Sequence, residues 1–98
     1  MIDRIKDDNV DFLFNCILQL ENIDECYAFF SDLCTIAELK EISKRLQAAK
    51  MLKDNCVYSS IVKDTGLSSA TISRVNRSLK YGNDGYAIAF DRLEQKDE

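Results

Sequence analysis

The 98-residue chain has a formal charge of −4, contains four cysteines, no histidine and no proline, and is 46% apolar. That apolar share excludes a disordered chain, and no run approaches the roughly 20 apolar residues that cross a bilayer. A single domain of this length buries only a modest core by itself, so a dimer that extends the core is a natural expectation.

The N-terminus, MIDRIKDDNVDFLF, is charged and acidic and lacks a signal-peptide cleavage pattern, which points to a cytoplasmic protein. A first helix is expected from about Asp8 to Leu20, with Val10, Leu13, Phe14, Ile17, Leu18 and Leu20 apolar. Its apolar surface is wider than one small monomer needs to bury. Asn22 to Asp24 breaks it, and a short second helix carries Tyr27, Phe29, Phe30 and Leu33. Thr35-Ile36-Ala37-Glu38 has the spacing of a capping box and starts a long third helix that ends at Asp54-Asn55. Leu39, Ile42, Leu46, Ala49 and Leu52 recur along it at helical steps. After residues 57–80, the stretch Tyr81-Gly82-Asn83-Asp84-Gly85-Tyr86 is expected to be a turn. Its glycines admit two readings, a helix C-cap or a close approach to a phosphate or partner subunit. A last helix follows from about Tyr86 to Leu93, and the charged tail from Glu94 is expected to fray. The chain is thus one all-α domain: N-terminal helices over 1–34, a central helix over 35–56, the segment 57–80, and a C-terminal helix and tail over 81–98.

Catalytic and metal chemistry find little support. Cys16, Cys26, Cys34 and Cys56 include no Cys-x-x-Cys, and no histidine is present to complete a zinc site, so neither metal nor cofactor is expected. No cysteine has a visible base, and no glycine loop precedes a phosphate-binding helix. Asp7, Asp8 and Asp11 suit the dipole-favoured start of a helix better than an acid–base pair. A binding protein is expected rather than an enzyme.

Residues 57–80, VYSSIVKDTGLSSATISRVNRSLK, have the pattern of a helix-turn-helix. Tyr58 to Asp64 spans a short helix. Gly66 is free to adopt positive φ, Leu67 plugs the interhelical angle, and Ser68 is a good N-cap. In the second helix, Ile72, Val75 and Leu79 form one buried stripe. The other faces carry Ser69, Thr71, Ser73, Arg74, Asn76, Arg77 and Lys80, side chains that reach base edges and phosphates from a major-groove helix. A plain packing motif has the same outline. The charge distribution favours DNA: residues 44–80 hold eight Lys and Arg against Asp54 and Asp64, a surplus of six, which leaves −10 on the remainder.

The segment Leu33–Lys80 resembles the Trp repressor superfamily, through the Thr35-led helix, Thr65-Gly66, Ala70-Thr71-Ile72-Ser73-Arg74 and Ser78-Leu79-Lys80. Over about residues 12–93 it is closer to the YerC/YecD-type, TrpR-related branch. There the carrying strings are Glu25-Cys26-Tyr27, Phe29-Phe30, Asp32-Leu33-Cys34-Thr35, Thr71 to Arg77, Leu79-Lys80-Tyr81-Gly82 and Gly85-Tyr86. The resemblance implies about six helices, an intertwined homodimer joined through its N- and C-terminal helices, and two recognition helices on a roughly palindromic duplex operator. By position it implies that Ser69, Ala70, Thr71 and Ser73 face bases, while Tyr58, Ser59 and Lys63 lie on or beside the preceding helix, where the motif touches the backbone; Ser68, Arg74, Arg77 and Lys80 complete the expected DNA-binding set. Ala70 could equally serve close helix packing, and Tyr58 could be a core aromatic with a wet hydroxyl.

The same resemblance places a corepressor pocket at Arg74, Val75 and Ser78. Arginine and serine match the family, but Val75 replaces the glycine on which the indole lies, so tryptophan is not expected to bind. Val75 would fill the slot, act as a core residue, or both, and another small-molecule effector stays open. Repression is implied by the family alone. The rival expectation is a module that docks onto the transcription machinery through this helix-turn-helix. It would require large apolar anchors on the exposed face of 69–80, and none is evident there.

Overall fold

The computed structural model describes residues 2–97, with only the backbone of Asp97. Seven helices and no strand occur among them: α1 (Ile2–Ile5), α2 (Asp8–Ile17), α3 (Ile23–Leu33), α4 (Ile36–Lys53), α5 (Tyr58–Thr65), α6 (Ser69–Tyr81) and α7 (Gly85–Asp97). The all-α expectation holds, with one short helix more than the six expected. The chain divides into two compact units, Met1–Ile36 and Ala37–Glu98.

In the first unit the helix ends follow local side-chain chemistry. Asp7 caps α2, its carboxylate accepting the Val10 N–H at 2.8 Å, and Asp8 and Asp11 fill the first turn. The helix stops at Ile17 rather than Leu20. The Leu18 N–H still bonds the Phe14 carbonyl at 2.9 Å, and the two N–H groups after it bond three residues back, Gln19 to the Cys16 carbonyl and Leu20 to the Ile17 carbonyl, both at 3.1 Å, which tightens the chain as the helix ends. Asn22 does more than break a helix. Its side chain accepts the Glu25 N–H at 2.9 Å and starts α3 at Ile23, while the Glu25 carboxylate accepts the Glu21 N–H at 2.9 Å. Phe29 and Phe30 meet edge-on at 5.4 Å. Despite these caps, none of α1, α2 and α3 has a buried residue. Phe12, Leu18 and Ile23 are more than two-thirds exposed, and Tyr27 is 66% exposed.

The second unit has a core. Ala48, Ala49, Ile61, Leu67, Ile72, Val75 and Phe90 are buried together, with Met51, Leu52, Cys56 and Tyr86 packed against them. Only the C-terminal half of α4 takes part, because Ile42 and Leu46 are exposed. The helix ends in a Schellman motif: Asn55 takes φ +65°, its N–H bonds the Leu52 carbonyl at 3.0 Å, and the Cys56 N–H bonds the Met51 carbonyl at 2.9 Å. Helix α7 runs through most of the tail that was expected to fray. Lys50 and Lys53 hold Glu94 at 3.8 and 3.4 Å, Lys53 also reaches Asp91 at 3.6 Å, and its ammonium lies 5.6 Å from the Phe90 ring centre. Glu98 lies outside the described residues.

Candidate nucleic-acid interface

The core of the second unit fixes the angle between α5 and α6. Gly66 closes α5 in the left-handed conformation, at φ +74°, with its N–H on the Val62 carbonyl at 2.9 Å. Thr65 is buried. Its hydroxyl donates to the Ile61 carbonyl at 2.6 Å and accepts the Leu67 N–H at 3.2 Å, so the turn is bonded from within. Leu67 is buried beneath it. Ser68 caps α6, accepting the Thr71 N–H at 3.1 Å and donating to the Thr71 hydroxyl at 3.0 Å. Ile61, Ile72 and Val75 are the inward side chains of the two helices, and Leu79 is half-buried rather than fully covered.

The outward sides of α5 and α6 carry most of the residues singled out from the pattern; Tyr58, 37% exposed, stands about one turn before buried Ile61, at the edge of the inward side of α5. Tyr58, Ser59, Lys63, Ser68, Ser69, Ala70, Ser73, Arg74, Arg77 and Lys80 are all exposed, and Thr71 is half-buried on the flank. At about 100° per residue, Ser69, Ala70, Ser73, Arg74, Arg77 and Lys80 share one half of the circumference of α6. Tyr58 does not belong to the buried core. Among the described residues, no carboxylate pairs with Lys63, Arg74, Arg77 or Lys80. The cations of α4 differ: Arg45 lies 3.8 Å from Glu41, Lys50 lies 3.2 Å from Asp54, and both Lys50 and Lys53 bind acids of α7. The basic segment 44–80 is therefore not one phosphate-facing surface. Its first part is largely neutralised within the unit, and its unpaired cations lie on α5 and α6, besides Lys44.

Val75 sits in the core, whereas its neighbours Arg74 and Ser78 are exposed. Gly82 behaves as a C-cap. Its N–H bonds the Ser78 carbonyl at 2.9 Å, and a β-carbon there would collide with that same carbonyl. Gly85 opens α7 with free space around it. Pattern reading missed one residue of this face. Tyr81 was expected in the turn, but it is the last residue of α6 and is 83% exposed. The signal was the glycine one position later, which marks the first residue after the helix rather than the start of a six-residue turn.

Among the described residues, no helix is long and apolar enough to cross a membrane, and no group of three or more His, Cys, Asp or Glu side chains could hold a metal ion. The four cysteines are free, Cys26 exposed and the others half-buried.

Residues 8–94 match the family described as Trp repressor protein. The chain is 49% identical over 94 residues to YerC, an uncharacterized protein of Bacillus subtilis (strain 168), a match that covers 96% of this chain and 90% of YerC. Its fold superimposes with a TM-score of 0.90 on a candidate Trp repressor from Staphylococcus aureus, at 49% identity and covering 96% and 94% of the two chains. A TrpR-like protein from Eubacterium eligens ATCC 27750 gives the same TM-score at 51% identity, covering 94% of this chain and 95% of that one.

Proposed function

The chain belongs to the Trp repressor family, and we propose that it is a cytoplasmic, dimeric, sequence-specific DNA-binding regulator of transcription. It acts as a repressor on a palindromic operator. The observation that carries this reading is the segregation of cations. Arg45, Lys50 and Lys53 are matched by carboxylates within the unit, while Lys63, Arg74, Arg77 and Lys80, all the unpaired cations of residues 44–80 besides Lys44, project around an internally bonded, hydroxyl-rich helix-turn-helix. Unpaired cations on a rigid face suit phosphates, and Ser69, Ala70, Thr71 and Ser73 at the N-terminal end of α6 suit base edges. A docking surface for protein would instead centre on apolar anchors. Residues 69–80 expose none, and Tyr81, the exposed aromatic that ends α6, stands beside the unpaired Arg74 and Arg77.

Two features define the working form. The exposed apolar side chains of α2 and α3 ask for a partner, and a second copy supplies it in the intertwined arrangement that the family suggests. Val75, in the core, holds α6 against α4 and α5 without a ligand, so the protein binds DNA without tryptophan as corepressor. Calorimetry should show no saturable tryptophan binding at micromolar concentration.

The test is selection of the purified protein against a random duplex pool, with salt titration of the enriched sequences. A palindromic motif with affinity falling steeply as salt rises supports the reading. Weak, uniform binding with no enriched motif contradicts it.

A further inference from the structure

We infer that Tyr81 is a DNA-contacting residue whose ring and hydroxyl meet the sugar–phosphate backbone at the far end of the face on α6. The inference rests on the DNA-binding reading above and deepens it. Tyr81 is the most exposed large apolar side chain of the described residues, at 83%. At about 100° per residue it falls between Ala70 and Arg74 on the circumference of α6, in line with the outward face. The helix rises about 18 Å from Ser69 to Tyr81. When the N-terminal end enters the major groove, Tyr81 stands at the rim, where the phosphate strands run.

Its surroundings favour a polyanion over an apolar partner. On the helix surface its neighbours are Arg77, Ser78 and Arg74, all exposed, and neither arginine has a carboxylate partner among the described residues. Beyond it lie Gly82, Asn83 and Asp84, also exposed. An apolar interface over Tyr81 would strip water from two unpaired guanidinium groups, an unfavourable step. A phosphodiester strand pairs with those guanidiniums, offers the tyrosine hydroxyl an acceptor, and presents sugar carbons to the ring. The position of Tyr81 is also set by the backbone. Gly82 lets the chain leave the helix at once, with its N–H on the Ser78 carbonyl at 2.9 Å, a path that a β-carbon at residue 82 would block.

Backbone contacts are independent of sequence, so one mixed-sequence duplex at low salt is a sufficient probe. Affinity is measured across a salt series for the full chain and for Tyr81→Ala, Tyr81→Phe and Arg77→Ala, and sedimentation follows self-association of each. Tyr81→Ala should weaken binding about three- to tenfold, the size of one or two net hydrogen bonds, with the salt slope and self-association unchanged. Tyr81→Phe should lose part of that effect. Arg77→Ala should lower the salt slope by about 0.9, as one lost phosphate contact requires. Tyr81→Ala binding as tightly as the parent, or changing self-association instead, would overturn the assignment while leaving the DNA reading intact. A parent protein that fails to bind the duplex at low salt overturns both.

Discussion

Residues 2–36 and residues 37–97 are built from helices of similar quality, yet they stand differently toward their surroundings. In the first unit Asp7 and Asn22 cap their helices with 2.8 and 2.9 Å hydrogen bonds, but no residue of α1, α2 or α3 is buried. In the second unit, the Ser68 N-cap and the left-handed C-terminal residues Asn55 and Gly66 accompany a core in which Ile61 and Ile72 are wholly enclosed. Local signals start and stop helices, whereas burial of apolar surface makes them persist. Under the proposed function, the second unit carries the recognition face and the first awaits a partner surface.

Among substitutions, the largest effect should come from the core of the second unit. Ile72→Ala leaves a cavity between α6 and its neighbours and should cost about 2–5 kcal/mol in urea unfolding. Duplex binding should fall with it, because the recognition face loses its support. Next comes Leu18→Asp, on a side chain 77% exposed in the single chain. If α2 were simply solvated, this change would be harmless. A second copy covering it predicts a shift toward monomer in sedimentation and a concentration-dependent loss of thermal stability. Ser68→Ala removes the cap of α6 and should cost about 1 kcal/mol, while Ser68→Asp, which keeps the capping oxygen, should recover most of it. Smallest is Lys53→Ala. Its ion pairs are partly exposed, so α7 should loosen by no more than a few tenths of a kcal/mol, and less at high salt.

Much of the second unit was legible because its signals are local. Gly66, Leu67 and Ser68 announce the turn within three residues, and the spacing of Ile72 and Val75 identifies the inward face of α6. What escaped depends on distance or on one-residue boundaries. Helix α1 is four residues long, too short to show a period. The helical tail of α7 is held by Lys53 and Glu94, 41 residues apart, and no window along the chain sees that pair. The same pairs explain why the charge surplus over 44–80 overstated the phosphate-facing surface: Lys50 and Lys53 are basic in composition but engaged in the fold. Tyr81 was hidden by its neighbour Gly82, which reads as turn and is a C-cap. The buried position of Val75 followed from its period, while its departure from the family glycine was visible only through the resemblance.

In the proposed function the unpaired cations of α6, and not the basic residues of the chain at large, bind DNA. The most direct measurement compares the salt dependence of duplex affinity for Arg74→Ala/Arg77→Ala with that for Lys50→Ala/Lys53→Ala. The first pair should lower the slope by nearly 2, and the second should leave it unchanged. Equal slopes for the two double variants, or a larger drop for the second, would contradict it.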